Sequence, residues 1–263
     1  MRHSIIGVFS ALLLFLACEC RAADKPETWT EVRSPHFVVV TVAGEKQGRQ
    51  VAEQFEQIRA VFKSVFPGAR IDPGQPIIIL AVKDEKGLKA LLPEFWETKG
   101  HTHPAGLFQR GPEKNYVALR LDVQGDNPYH VIYHEYFHLL ESLNWEGVPT
   151  WLNEGMADFY GNTSIHGKEA RLGLPDEYQS QVVKQNKLIP LEQLFAADQN
   201  SPYYNEANKT SMFYAESWAL THYLMLGDRG AHSKLILDFL TLLHNGVPEI
   251  GRASCRERVY VLV

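Results

Sequence analysis

Cysteine is nearly missing from this 263-residue chain: there are three, and Cys18, Cys20 and Cys255 all lie near an end. The stretch from 24 to 248 has none, which excludes a disulfide framework and a cysteine nucleophile there. Basic charge is also short. Lys and Arg number 26 against 31 Asp and Glu, a formal net charge of -5, so the electrostatic footprint of a nucleic-acid binder is missing and nucleic acid is not an expected partner. Repeats and low-complexity tracts are absent, which with 14 Pro and 19 Gly excludes collagen-like and coiled-coil classes. What is present is 45% hydrophobic and 22% charged, the balance of a globular chain large enough to bury a real core.

The two ends read differently from the body. Arg2 and His3 precede an almost wholly apolar run from Ile5 to Ala17, and Ala22 and Ala23 offer small residues for cleavage. Residues 1–23 therefore read as a signal peptide. The run is shorter than the ~20 residues of a membrane-spanning helix, so no stable span is expected after cleavage. Export to a periplasmic or extracellular location follows; the segment Phe15-Leu16-Ala17-Cys18 fits a lipoprotein anchor poorly. Residues 249–263, with Gly251-Arg252-Ala253-Ser254-Cys255, read as a translated sequencing adapter and a non-native tail. The body to be explained is 24–248.

Within it, His36 to Val42 is a β-branched apolar run and reads as a buried strand. Val51, Phe55, Ile58, Val61, Phe62 and Val65 recur at helical spacing over 47–66, and Pro67-Gly68 stops that helix. A strand over Pro76–Val82, a short helix over Asp84–Leu92, and strands over Ala105–Gln109 and Tyr116–Leu121 follow. From Asp126 onward the pattern is helical, apart from a long irregular stretch over Pro175–Tyr204 with a short helix near Leu191–Phe195. Strands first and helices afterwards predict an α+β fold: a mixed N-terminal β-sheet layer with helices, then a mostly helical C-terminal half.

His134-Glu135-Tyr136-Phe137-His138 carries the chemistry. On a helix, residues four apart share a face, so both imidazoles can bind one metal ion, with Glu135 beside it as a proton acceptor. Asn127 is the expected cap and Pro128 suits the first turn, with Gly147 beyond the end. A hydrolytic zinc site takes three protein ligands. Thr150 to Gly161 reads as the next helix, with Thr150 as cap, and Glu154 follows His138 by 16 positions. An antiparallel helix pair returns Glu154 to the metal. Asp158, one turn later, is placed to hydrogen-bond a ligand imidazole.

Trp151-Leu152-Asn153-Glu154-Gly155-Met156-Ala157-Asp158-Phe159 after a His-Glu-x-x-His helix resembles the gluzincin metallopeptidases, the clan of thermolysin and aminopeptidase N, and within it the bacterial peptidase MA-like domains. The resemblance is strongest over 130–160, and a weaker likeness runs from Trp29 to Gly246 through strand order and Tyr214 to Leu220. It implies a zincin-like C-terminal half, a domain over 24–248, Zn2+ held by His134, His138 and Glu154, Glu135 as general base, and Asp158 orienting the first histidine. It implies peptide or protein substrates, and a tetratricopeptide-type region that often follows such domains. Two departures matter. The Gly-Ala-Met-Glu-Asn motif that holds a free amino terminus is absent, with Ala105-Gly106-Leu107-Phe108-Gln109 in the comparable place. No histidine matches the thermolysin oxyanion donor, so Tyr214 is the candidate for that role, against simple packing beside Phe213 and Trp218.

An exported zinc metallopeptidase cutting within peptides is thus expected. The alternative is a zinc-stabilised protein-binding domain that no longer cuts; a hydrolase of cell-wall peptides or other amides is a third reading. His130, one turn before His134, reads as solvent-facing, with a rival or outer role as its alternative. His101 and His103 read as solvated, His222 as packing, and the Asn162 and Asn208 sequons as idle.

Overall fold

Phe37-Val38-Val39-Val40-Thr41 alternates buried and half-buried side chains, and Ile77 to Val82 is buried still more completely. Such near-continuous apolar runs belong to strands covered on both faces. In the computed structural model, which describes residues 27–74, 77–97, 105–111, 113–123, 129–205 and 207–245, these are inner strands of a five-stranded sheet. The strands are β1 (Thr30–Arg33), β2 (Phe37–Thr41), β3 (Ile77–Val82), β4 (Gly106–Arg110) and β5 (Asn115–Arg120), ordered β1-β2-β3-β5-β4. The β2–β3 and β3–β5 pairs are parallel, whereas β1 and β4 run antiparallel at the two edges.

The parallel centre needs a crossover, and α1 (Glu45–Val65) supplies it between β2 and β3. Its buried stripe of Val51, Ala52, Phe55, Ile58 and Phe62 lies on one sheet face. On the other face α2 (Glu85–Leu91), capped by Asp84, sets Leu88 against Val82 and Ala118, and α3 (Glu94–Glu97) brings Trp96. The expected strands and helices are all found here within one or two residues at each end. β1 is an addition: Thr30–Arg33 alternates too briefly to be separated from the run after it.

The helical part begins with α4 (His130–Asn144), which packs on the same face as α1. Tyr136 anchors it, with its ring stacked on Phe62 (5.6 Å between centroids) and edge-on to Phe37 and Phe55. Asn144 clamps its far end, accepting from the Arg70 N–H (2.6 Å) and donating to the Arg70 carbonyl (2.8 Å). Asn127 and Pro128 lie outside the described residues, and Tyr129 at the cap position makes no side-chain capping bond. α5 (Thr150–Gly161) returns alongside α4. Thr150 is not its cap: it is already the first helical residue, and Pro149, with its preset φ, stands before it.

α9 (Ala207–Leu226) crosses α5 so closely that a β-carbon at Gly155 would lie 2.2 Å from Thr221 Oγ1 and 2.4 Å from the Ser217 carbonyl oxygen. That approach is why a glycine follows Glu154. α10 (Ser233–His244) closes the core behind them. The irregular reading of 175–204 is corrected. α6 (Glu177–Gln185), capped by Asp176 on the Gln179 N–H (2.8 Å), occupies a third of it, with α7 (Leu191–Ala196) and α8 (Pro202–Asn205) after it. A hairpin of β6 (Ser164–His166) and β7 (Glu169–Arg171), joined through Gly167-Lys168, precedes them. The molecule is a mixed sheet interleaved with helices followed by a predominantly helical region, the expected α+β arrangement. No helix among the described residues is long and apolar enough to cross a membrane.

Candidate metal centre

His134 and His138 share a face of α4, and their Nε2 atoms stand 3.0 Å apart. α5 runs antiparallel to α4 and returns Glu154 to that face, with Oε2 3.5 Å from each Nε2. Tetrahedral ligands about 2.0–2.1 Å from a zinc ion lie about 3.3 Å from one another, so 3.0, 3.5 and 3.5 Å is a fitting triangle. Glu154 is 4% exposed, and its Oε2 is buried without a hydrogen bond.

Hydrogen bonds on the outer side of each ring fix its orientation. Asp158 Oδ1 accepts from His134 Nδ1 (2.9 Å), and Asn153 Oδ1 accepts from His138 Nδ1 (3.2 Å). With both Nδ1 atoms protonated, both Nε2 atoms turn lone pairs inward. Two nitrogens and a carboxylate oxygen then converge on one point, an arrangement that a metal ion satisfies and that ring protons satisfy without one. Gln179 on α6 donates to Asp158 Oδ2 (2.9 Å) and holds the orienting carboxylate.

The charge balance agrees. Burial alone would raise Glu154, but His138 and His134 outweigh it and hold its carboxyl well below the usual range. Burial likewise opposes charge on His134 and His138, yet Asp158 and Glu154 push His134 well above an ordinary imidazole, and Glu154 raises His138. Positive charge is favoured at this point, whether carried by protons or by a metal.

Glu135 points from α4 towards the edge strand. A β-carbon at Gly106 would stand 2.5 Å from Val131 Cγ1 and 2.9 Å from Glu135 Cγ, so only glycine lets β4 pass over the helix here. The Phe108 N–H bonds the Glu135 carboxylate. Burial raises the Glu135 pKa, against the lowering effect of the two histidines.

Across the cleft, the Tyr204 hydroxyl donates to Glu154 Oε1 (3.1 Å), and Tyr214 donates to Tyr204 in turn. Burial first, then Glu154, raises both phenols, Tyr214 most, so both remain protonated donors. Tyr214 lines the cleft, whereas Tyr204 touches the Glu154 carboxylate. Its only sequence signal is a Tyr pair at 203–204 beside a helix start. Asn153 was legible as part of Asn-Glu-Gly without its role; Gln179, on a helix the sequence pattern hid, had no signal.

His130 is a correction. It is not solvent-facing: Nε2 lies 3.5 Å from Asp158 Oδ1, buried without a hydrogen bond, and burial depresses its pKa while Asp158 opposes. His130, His134 and Asp158 form a second group whose donor atoms lie within 4.8 Å of one another. His222 packs as expected, between Trp218 and Phe159, with Nε2 on the Gly173 carbonyl (3.0 Å). Asn162 is buried, which agrees with an idle sequon. His101 and His103 lie outside the described residues, as do residues 1–23 and 249–263, on which the signal-peptide and tail readings fall.

All of this opens into a cleft of about 630 Å³ between β4, α4, α5 and α9. A mixed sheet backed by a helix that offers two histidines, with a carboxylate from the next helix, has geometry consistent with a zinc-type metal-binding site. No protein-family model matches the chain, and no curated protein is significantly similar to it.

Proposed function

We propose that this is an exported zinc-dependent metallopeptidase of the gluzincin type, with a peptidase MA-like domain over 24–248, that cuts within peptide or protein substrates. The observation that carries the reading is the convergence of His134 Nε2, His138 Nε2 and Glu154 Oε2 at metal-ligand spacing with the buried Glu135 carboxyl beside it. A metal that serves only structure needs no such base.

A zinc ion held by these three side chains supplies Lewis acidity, acidifying water and polarising a carbonyl. Glu135 takes the proton of the attacking water and hands it to the leaving amine. Tyr214, by turning its hydroxyl away from Tyr204, can offer a donor to the developing negative charge. β4 is an edge strand whose pairing with β5 leaves the N–H and C=O of alternate residues facing the cleft. An extended peptide can add there as a further strand.

The test is to load the protein with zinc, expose it to a diverse peptide mixture, and sequence the new ends by mass spectrometry beside Glu135→Gln. Internal cuts in the wild type alone support the reading. Trimming of first residues alone makes it an aminopeptidase. Zinc at one per chain with no cuts replaces it by the metal-stabilised binding domain.

A further inference from the structure

Glu141 lies on α4, three residues beyond His138, and lines the same cleft with Ser142. It is half-buried, and among the described residues its carboxylate has neither hydrogen bond nor ion pair. Burial pushes it up to about 7, with His138 lowering and Glu154 raising it. Arg110 does not answer it, since its Nη1 turns to the Ser142 carbonyl (3.4 Å). A carboxylate drawn partly out of water without a counter-charge is costly, and an arriving cation would offset that cost.

The strand geometry says which part of a substrate meets it. Gly106 stands over Val131 and Glu135, whereas Arg110 reaches Ser142, so β4 and α4 run in the same direction. The Arg120 N–H bonds the Ala105 carbonyl (3.0 Å). By alternation, the backbone groups of Gly106, Phe108 and Arg110 face outward, with the Phe108 N–H already on the Glu135 carboxylate. A peptide adding antiparallel to β4, the more stable pairing, runs against α4. Its residues before the scissile bond then lie towards Arg110 and Glu141.

We propose that Glu141 determines specificity by receiving an amine or guanidinium carried on the amino-terminal side of the scissile bond. This rests on the peptidase reading above and names the substrate class of that site. The cation has two sources, a Lys or Arg side chain or the free α-amine of a short peptide, and one carboxylate serves either.

Binding tests it without turnover. Zinc-loaded Glu135→Gln protein is titrated with alanine-based decapeptides carrying one lysine or, in its place, norleucine, each with a free or an acetylated amino terminus. A charge-assisted contact predicts roughly ten- to hundredfold tighter binding of the cationic peptide. The ratio falls to about one when Glu141→Gln is added, a change that a merely structural role would spread over both peptides. Preference for lysine that survives acetylation identifies the side chain; preference for the free over the acetylated terminus, with lysine and norleucine alike, identifies the α-amine. Equal binding of all four peptides, or binding of none, overturns the proposal. Discrimination by a wild type that cuts neither peptide keeps the recognition and removes the peptidase reading.

Discussion

Glu135 and Asp158 are both buried carboxylates beside His134, yet they face opposite consequences of substitution. Glu135→Gln keeps volume and removes the base, so turnover is expected to fall on the order of 10²–10⁴-fold with zinc content unchanged by metal analysis. Asp158→Asn keeps a hydrogen-bond acceptor but weakens the grip on His134 Nδ1. Zinc affinity is then expected to fall roughly 10–100-fold in a competition titration with a chromophoric chelator, with activity returning at excess metal. The tyrosines can be separated in the same way. Tyr214→Phe is expected to lower kcat by on the order of 10²–10³ with KM little changed; a loss confined to Tyr204→Phe would move that role to Tyr204, which touches Glu154 directly.

Helix contacts at the next scale explain why those residues hold their places. α5 carries Glu154 and Asp158 between α4 and α9, and its glycine at 155 permits the crossing. Gly155→Ala would drive a methyl into Thr221 Oγ1 and the Ser217 backbone, a cost of about 1–3 kcal/mol. Urea unfolding should show an earlier midpoint, and metal affinity should fall with it, because the carboxylates move with α5. On α4 the motif was legible since two histidines four apart need only helical periodicity. α6 was not: Tyr178, Val182 and Val183 make a weak stripe, and what settles the helix is the Asp176 cap and the Gln179 contact with Asp158.

Over the whole molecule, the buried charges set a pH dependence for the metal-free protein. Glu154, lowered from 4.5, stabilises the fold above that value and loses the contribution as pH falls through its folded pKa. His134 and His138, raised from 6.5, stabilise it below that value and lose the contribution as pH rises through theirs. Glu135 and Glu141, raised from 4.5, also lose stability as pH rises, so metal-free protein should have its highest Tm nearer pH 4.5 than 6.5 and decline above. One equivalent of zinc should remove that decline at pH 7–8, since the metal replaces the lost protons and binding to the native state raises Tm. A Tm series by calorimetry with and without zinc checks both limbs; a metal-free Tm still rising above pH 7 would contradict the charge assignment.

Local order decided much of this protein before any tertiary contact. Phe37 to Thr41 and Ile77 to Val82 are strands, and α1 and α4 are helices, because apolar period and β-branching act over a few residues. The spacing of His134, Glu135, His138 and Glu154 likewise needed only a helix, a turn and a second helix. Only the folded chain could decide the rest: that β4 passes over Glu135 at Gly106, that His130 turns inward to Asp158, that Gln179 and Tyr204 reach the site from distant segments, and that Glu141 stands unpaired in the cleft. These depend on the approach of elements far apart in the chain, and burial, with the charged partners it brings together, is a property of that approach and leaves no pattern among neighbouring residues.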